Sequence, residues 1–166
     1  MNALSTIGFN ALDNSGATVA ALLVSPFESD HAVLSLVFSH SNWKLQSAHD
    51  FKAALSLMSR ETIPVIICNL GNRDWKALLD AGAKLPNPPK LIVSSRLMDE
   101  HLWAEVLNMG GYDVLTTPFD SREVFRSVSM AWHLWQREGR MAASTHEAQH
   151  TAGKGDRGMA AGAGAP

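Results

Sequence analysis

The sequence predicts an α/β fold, a parallel sheet of five strands with helices on both faces. Three observations predict it. Short runs in which almost every residue is apolar recur along the chain: TVAALLV (Thr18 to Val24), VIIC (Val65 to Cys68) and LIV (Leu91 to Val93). That is the composition of strands covered on both faces. Segments of helical period lie between them, and strand and helix alternate strictly, five times over. Such alternation requires crossover connections and so a parallel sheet.

The elements follow in order. Thr18 to Val24, Val65 to Cys68 and Leu91 to Val93 are read as central strands. Trp43 to Ala48 (WKLQSA) and Tyr112 to Thr117 (YDVLTT) mix polar and apolar positions, which suits strands with a partly open side. In the first helix Ala32, Val33, Leu36 and Val37 form the expected stripe, behind Ser29 and Asp30. In the second, Phe51, Ala54, Leu55 and Met58 fall at i, i+3, i+4, i+7, with Asp50 placed as the cap. Trp75, Leu78 and Leu79 mark the third, stopped by the prolines at 86, 88 and 89 and begun by Asp74 as a capping residue. The fourth runs from about Met98 to Met109, with Leu102, Val106 and Met109 on one face. It ends at Gly110 and Gly111, which suit a left-handed cap. The fifth begins after Pro118, with Asp120 and Glu123 arranged as a capping box, and carries Val124, Val128, Ala131 and Trp135.

With 166 residues and 46% hydrophobic content the chain can bury one core, and is too short for two ordinary domains. Residues 1–17 read as a flexible leader, 18–137 as the domain, and 138–166 as a disordered tail rich in alanine and glycine. A helix over Met141 to His150 is considered in that tail only as a transient one, because an isolated helix so short is marginal in water. A formal net charge of −2 argues against a nucleic-acid partner held by bulk electrostatics, and no membrane role is expected. No apolar run approaches the roughly 20 residues of a membrane span, and no secretory signal is visible at the start. One cysteine, Cys68, cannot form an internal disulfide. These features point to a cytoplasmic protein.

Edge-like second and fifth strands select the strand order 2-1-3-4-5, the flavodoxin-like (βα)5 arrangement. In that order ligands bind where the winding reverses, at the carboxyl ends of strands one and three. Here those ends are Ser25 and Asn69.

PVIICN (Pro64 to Asn69), LIVSS (Leu91 to Ser95) and GGYDVLTTPFD (Gly110 to Asp120) stand in sequence along this frame. With them, the stretch from Thr18 to about Arg137 resembles the CheY-like receiver domain of two-component response regulators. The last segment is similar to the family's Gly-x-x-Asp-Tyr-Leu-x-Lys-Pro-Phe signature. The resemblance implies an acidic pair after the first strand and a phosphoacceptor Asp after the third, together holding Mg²⁺. It also implies a hydroxyl ending the fourth strand and a lysine before the fifth-strand proline. Position by position, the acidic pair falls on Ser25 and Pro26, the acceptor on Asn69, the hydroxyl on Ser94 and the lysine on Thr117. Only the hydroxyl is kept. A switching aromatic of the fifth strand falls on Val114.

These replacements bear directly on the chemistry. A neutral amide at Asn69 is no nucleophile for phosphorus. Ser25, Pro26 and Asn69 offer Mg²⁺ no carboxylate, so the metal site is expected to be lost and no cofactor is assigned. Thr117 supplies no cation to offset the charge of a transferring phosphoryl group. The expectation is a degenerate receiver, not an enzyme, whose vacated pocket contains no carboxylate. Asp74 could substitute as acceptor but is better read as a cap. Glu28 and Asp30 are read as first-turn acids of the first helix, favoured there by its dipole. The seven histidines are read as solvated or helix-face residues, and no transition-metal site is assigned.

No glycine-rich loop follows the first strand, and the loop found there, SPFESD, places acids where a bound phosphate would lie. That weighs against dinucleotide or FMN binding. Trp103, Trp132 and Trp135 lie on helices four and five and are read first as core residues; whichever faces solvent becomes, with Val114, part of a candidate interface in the region where the family commonly docks partners. The expected partner is a protein: a histidine kinase, another regulator, or a second copy of the chain. Phosphorylation at an unconventional acid such as Asp74, and small-molecule binding at the vacated strand ends, are the alternatives.

Overall fold

A computed structural model describes residues 19–97 and 99–152. Its strands are β1 (Val19–Val24), β2 (Trp43–Ala48), β3 (Val65–Cys68), β4 (Lys90–Ser95) and β5 (Asp113–Thr116). They alternate with helices α1 (Glu28–Phe38), α2 (Phe51–Arg60), α3 (Asn72–Ala83), α4 (Glu100–Asn108) and α5 (Ser121–Ala152). All strand pairs are parallel and the order is β2-β1-β3-β4-β5, the flavodoxin-like arrangement expected from the alternation and from the edge-like second and fifth strands.

Because successive strand residues point to opposite faces, the central strands divide their side chains between two cores. On one face Leu22, Val24, Ile66, Cys68, Leu91 and Val93 pack with Ala54 and Met58 of α2, Trp75 and Leu78 of α3, and Val106 of α4. On the other, Leu23, Val65, Ile67, Ile92 and Leu115 pack with Leu34 and Phe38 of α1 and with Val124, Val128, Ala131 and Trp132 of α5. Each Leu or Ile buried completely contributes about 1.5–3 kcal/mol by leaving water.

Capping follows the sequence at two helices: Asp50 accepts from the Ala53 N–H at 2.7 Å, and Asp120 Oδ1 accepts from both Arg122 and Glu123 N–H. Asp99, not singled out in the sequence, caps α4 through the Leu102 N–H. Gly110 takes φ +97° just past α4, as a left-handed cap requires. At Gly111 an added Cβ would lie 2.4 Å from a Val106 methyl, so this position tolerates no side chain without displacement.

Three expectations are corrected. The buried face of α1 is His31, Leu34 and Phe38, with Asp30, while Val33 is 41% and Leu36 71% exposed. The run from Ala32 to Phe38 is apolar at all but one position, so spacing alone does not choose the face. Tertiary contacts do: Phe38 meets Phe125 edge-on at 5.4 Å and Trp43 at 6.1 Å. Asp74 is no cap; it lies exposed in the first turn of α3, whose capping position is Gly71.

The third correction is the largest. The part of the predicted tail from 138 to 152 is helical, because α5 continues without a break to Ala152. As an isolated peptide this stretch would bear the cost of nucleation, but here it only prolongs a helix already formed and packed. Its residues are mostly good helix formers with no proline. Trp135 Nε1 donates to the Asn87 carbonyl at 3.3 Å and Lys90 pairs with Glu138 at 2.5 Å, so the helix stays tied to the body to about Gly139. From Arg140 to Gln149 every residue is exposed. The leader at 1–17 and the tail beyond 152 lie outside the described residues.

Candidate functional site at the carboxyl ends of the strands

The polypeptide leaves β1 at Ser25 and β3 at Asn69, side by side. Ser25 N–H donates to Ala48 O at 3.0 Å and Asn69 N–H to Val24 O at 2.8 Å, which extends the sheet hydrogen bonding one residue past the strands. Ser25 is fully buried. Its hydroxyl accepts from Phe27 N–H at 3.1 Å and donates to Asp30 Oδ2 at 2.7 Å. The Asn69 side-chain amide donates to the same oxygen at 2.6 Å.

Asp30 therefore lies in the pocket, 7% exposed, bridging residues that end two different strands. The expectation that the pocket contains no carboxylate is overturned. Asp30 does occupy the first turn of α1, as its position implied, but that turn lies against the strand ends and its side chain points inward. Glu28, in the same turn, remains exposed and lies 3.6 Å from His49. A hydrogen bond spanning 39 residues leaves no local pattern in the sequence, so the missed residue could have been found only by placing α1 over the strand ends.

His31 completes the buried polar group. One ring nitrogen lies 2.8 Å from the Ser25 carbonyl and the other 3.0 Å from the Ser47 hydroxyl. The carbonyl can only accept, so the nitrogen facing it carries the proton. The ring also lies 4.3 Å from that of His49, centroid to centroid.

The other positions are less altered by folding. Ser94 is buried, its hydroxyl 3.4 Å from the Cys68 carbonyl. Pro26 is exposed. Thr117 precedes a cis peptide bond to Pro118, and its hydroxyl is enclosed with no partner among the described residues. Burial pushes the Cys68 thiol up to about 12, so it is no nucleophile at neutral pH. Ser29, Asp30, Val33, Arg96, Thr117, Pro118 and Phe119 line a groove of about 320 Å³ that opens beside Asp30.

The residues present do not fit Mg²⁺. Among the described residues the pocket offers one carboxylate, and the donating nitrogen of Asn69, not its oxygen, faces it. A metal ion shared between these two groups would need two acceptors, whereas the structure pairs an acceptor with a donor. Nor is there a lysine at Thr117; the cation lining the groove is Arg96, an exposed residue whose guanidinium carbon lies 5.4 Å from the Phe27 ring centroid. No described group of three or more His, Cys, Asp or Glu residues is arranged to hold a metal ion.

The assignment of no transition-metal site passed over HEAQH (His146 to His150), a His-Glu-x-x-His spacing that α5 carries in helical form. In metalloproteases such a helix lines a cleft, where a further ligand completes the zinc site. Here residues 141–149 are exposed; Ala142 and Ala143 edge an open cavity with Asn87 and Trp135, but His146 and Glu147 line none of the cavities described.

The four candidate interface residues are not presented together. Trp132 and Val114 are each only 7% exposed, Trp132 meeting Trp43 edge-on at 6.1 Å. Trp135 is half-buried against Asn87. Only Trp103, 49% exposed on α4, keeps the character of an open anchor. No described helix is long and apolar enough to cross a membrane.

No family model matches the chain, and no curated protein matches it by sequence. Solved structures do. The signal receiver domain of an HD domain-containing protein from Pseudomonas fluorescens superposes with a TM-score of 0.63 at 22% identity, covering 73% of this chain and 91% of that one. A response regulator from Thermotoga maritima gives 0.65 at 16% identity, over 70% of this chain and 99% of that one. The chemotaxis protein CheY4 of Vibrio cholerae gives 0.59 at 16% identity, over 69% and 99%. The fold of this chain is thus that of receiver domains.

Proposed function

We propose that this protein is a receiver-like signalling module of a two-component system that acts through protein contacts and without phosphoryl transfer. The observation that carries this reading is the direct hydrogen bond of Asn69 to Asp30 at 2.6 Å. It joins the acceptor position to a carboxylate in the space where phosphoryl group and metal would meet in a receiver that turns over phosphate. The phosphorus-attacking oxygen is replaced by an amide, the lysine by Thr117, and the one carboxylate nearby has an oxygen held by two donors. Each change alone raises the barrier to transfer; together they remove nucleophile, metal and cation.

A module of this kind is not an enzyme, and it would work on a histidine kinase, another regulator or a second copy of the chain, in the cytoplasm. Trp103 is the exposed aromatic best suited to anchor such a contact. The reading is tested by incubating the full chain with acetyl phosphate and Mg²⁺ and measuring its intact mass. No change is expected. A gain of one phosphoryl group, mapped to Asp30 or to Asp74, overturns it.

A further inference from the structure

Asp30 is more than a bridge. Both of its hydrogen bonds fall on Oδ2; Oδ1 receives none from any described residue, and it is not among the enclosed side-chain oxygens that lack a partner. That oxygen is therefore reachable from the groove that Asp30 lines. Thr117 lines the same groove, but its hydroxyl oxygen is enclosed and out of the groove's reach. One carboxylate oxygen thus stands ready to accept hydrogen bonds from the groove. Its walls are Val33, Pro118 and Phe119, and Val33 is 41% exposed. Phe27, 44% exposed, lies nearby beneath the guanidinium of Arg96.

We propose that this groove receives an arginine side chain of a partner protein, the guanidinium pairing with Asp30 Oδ1. Charge selects the ligand. A largely buried carboxylate with an unpaired oxygen is costly to leave unanswered, and a cation answers it. Shape and surroundings favour arginine over lysine: a guanidinium is planar, less strongly hydrated, and able to stack on aromatic rings while donating from its edge. Arg96 already rests in this way on Phe27 at the margin of the groove. A volume of about 320 Å³ suits one long side chain and is at the foot of the roughly 300–1,000 Å³ range of small-molecule pockets. The exposed apolar residues Phe27, Val33 and Leu97 indicate apolar neighbours on either side of the partner's arginine. This assignment rests on the reading of the protein as a contact-driven module, and it names where and by what chemistry one contact is made.

Two variants have opposite expected signs and so separate this site from an anion site. Asp30→Asn removes the charge yet keeps an oxygen that can accept from Ser25 and Asn69. Arg96→Ala removes a competing cation. The probe is a capped Leu-Arg-Leu peptide, compared with its citrulline counterpart, titrated into the isotope-labelled full chain while the Asn69 side-chain amide and the Thr117 backbone amide are followed by NMR. Saturable shifts of both resonances are expected, about tenfold weaker with citrulline and about tenfold weaker in Asp30→Asn, with binding retained or tightened in Arg96→Ala. Equal response to citrulline, undiminished binding in Asp30→Asn, weakened binding in Arg96→Ala, or no saturable shift would each overturn the proposal. Failure here together with an unchanged mass in the acetyl phosphate experiment removes the arginine site alone; a phosphoryl group gained on Asp30 removes both readings.

Discussion

In β3 every residue is buried and apolar, and β1 is nearly so; at the carboxyl rim the sheet meets buried polar groups, Ser25 just past β1, Ser94 near the end of β4, and Asp30 and His31 from α1. The interior of the sheet gains its stability by removing hydrocarbon from water, a non-directional effect set residue by residue. The carboxyl rim gains nothing from burial as such. Its groups are tolerated because each finds a partner: Ser25 and Asn69 meet Asp30, and His31 meets Ser25 and Ser47. The two regions should therefore respond to mutation in different ways, the interior to lost volume and the rim to lost partners.

The largest effect should come from the interior. Leu22→Ala removes a fully buried side chain from the middle of β1 and is expected to cost ~2–5 kcal/mol, read as a lower midpoint in urea with the slope unchanged. A smaller loss would mean that the core around Leu22 relaxes into the cavity.

Next come two variants at one rim residue. Asp30→Ala leaves the Ser25 hydroxyl and the Asn69 amide without their acceptor and is expected to cost about 1–3 kcal/mol. Asp30→Asn keeps an acceptor and should cost distinctly less. If alanine and asparagine prove equal, the charge rather than the hydrogen bonding holds the rim together.

The contrast between regions also explains what could be read in advance. Strand order and the central strands follow from runs such as VIIC and from strict alternation, because burial on both faces writes itself into consecutive residues. The face of α1 was misjudged because both its faces are apolar, so that contacts with Trp43 and Phe125 had to decide. The substituted positions Ser25, Asn69 and Thr117 could be located by their place relative to the strands. The residue that fills the space among them could not, since Asp30 belongs to another element and is distant in sequence from Asn69. Trp132 looks the same in sequence whether it faces the core or a partner, and it faces the core.

The smallest expected effect concerns α5, which repeats the comparison within one helix. Its first half buries Val124, Val128, Ala131 and Trp132, while beyond Gly139 it stands exposed. At ~1.5 Å per residue the 32 residues span about 48 Å, longer than the sheet it packs on requires. A chain ending at Arg140 keeps the Trp135–Asn87 hydrogen bond and the Lys90–Glu138 pair, and loses only exposed side chains among those described. Its unfolding free energy should fall within about 0.5 kcal/mol of the full chain, the range of surface changes that remove no packing. Helical content by circular dichroism should nevertheless drop, because the lost turns are formed in the full chain. A loss of stability above about 1 kcal/mol would show that the outer half of α5 is packed in solution against something other than water, and a second copy of the chain could then be sought by the concentration dependence of that loss.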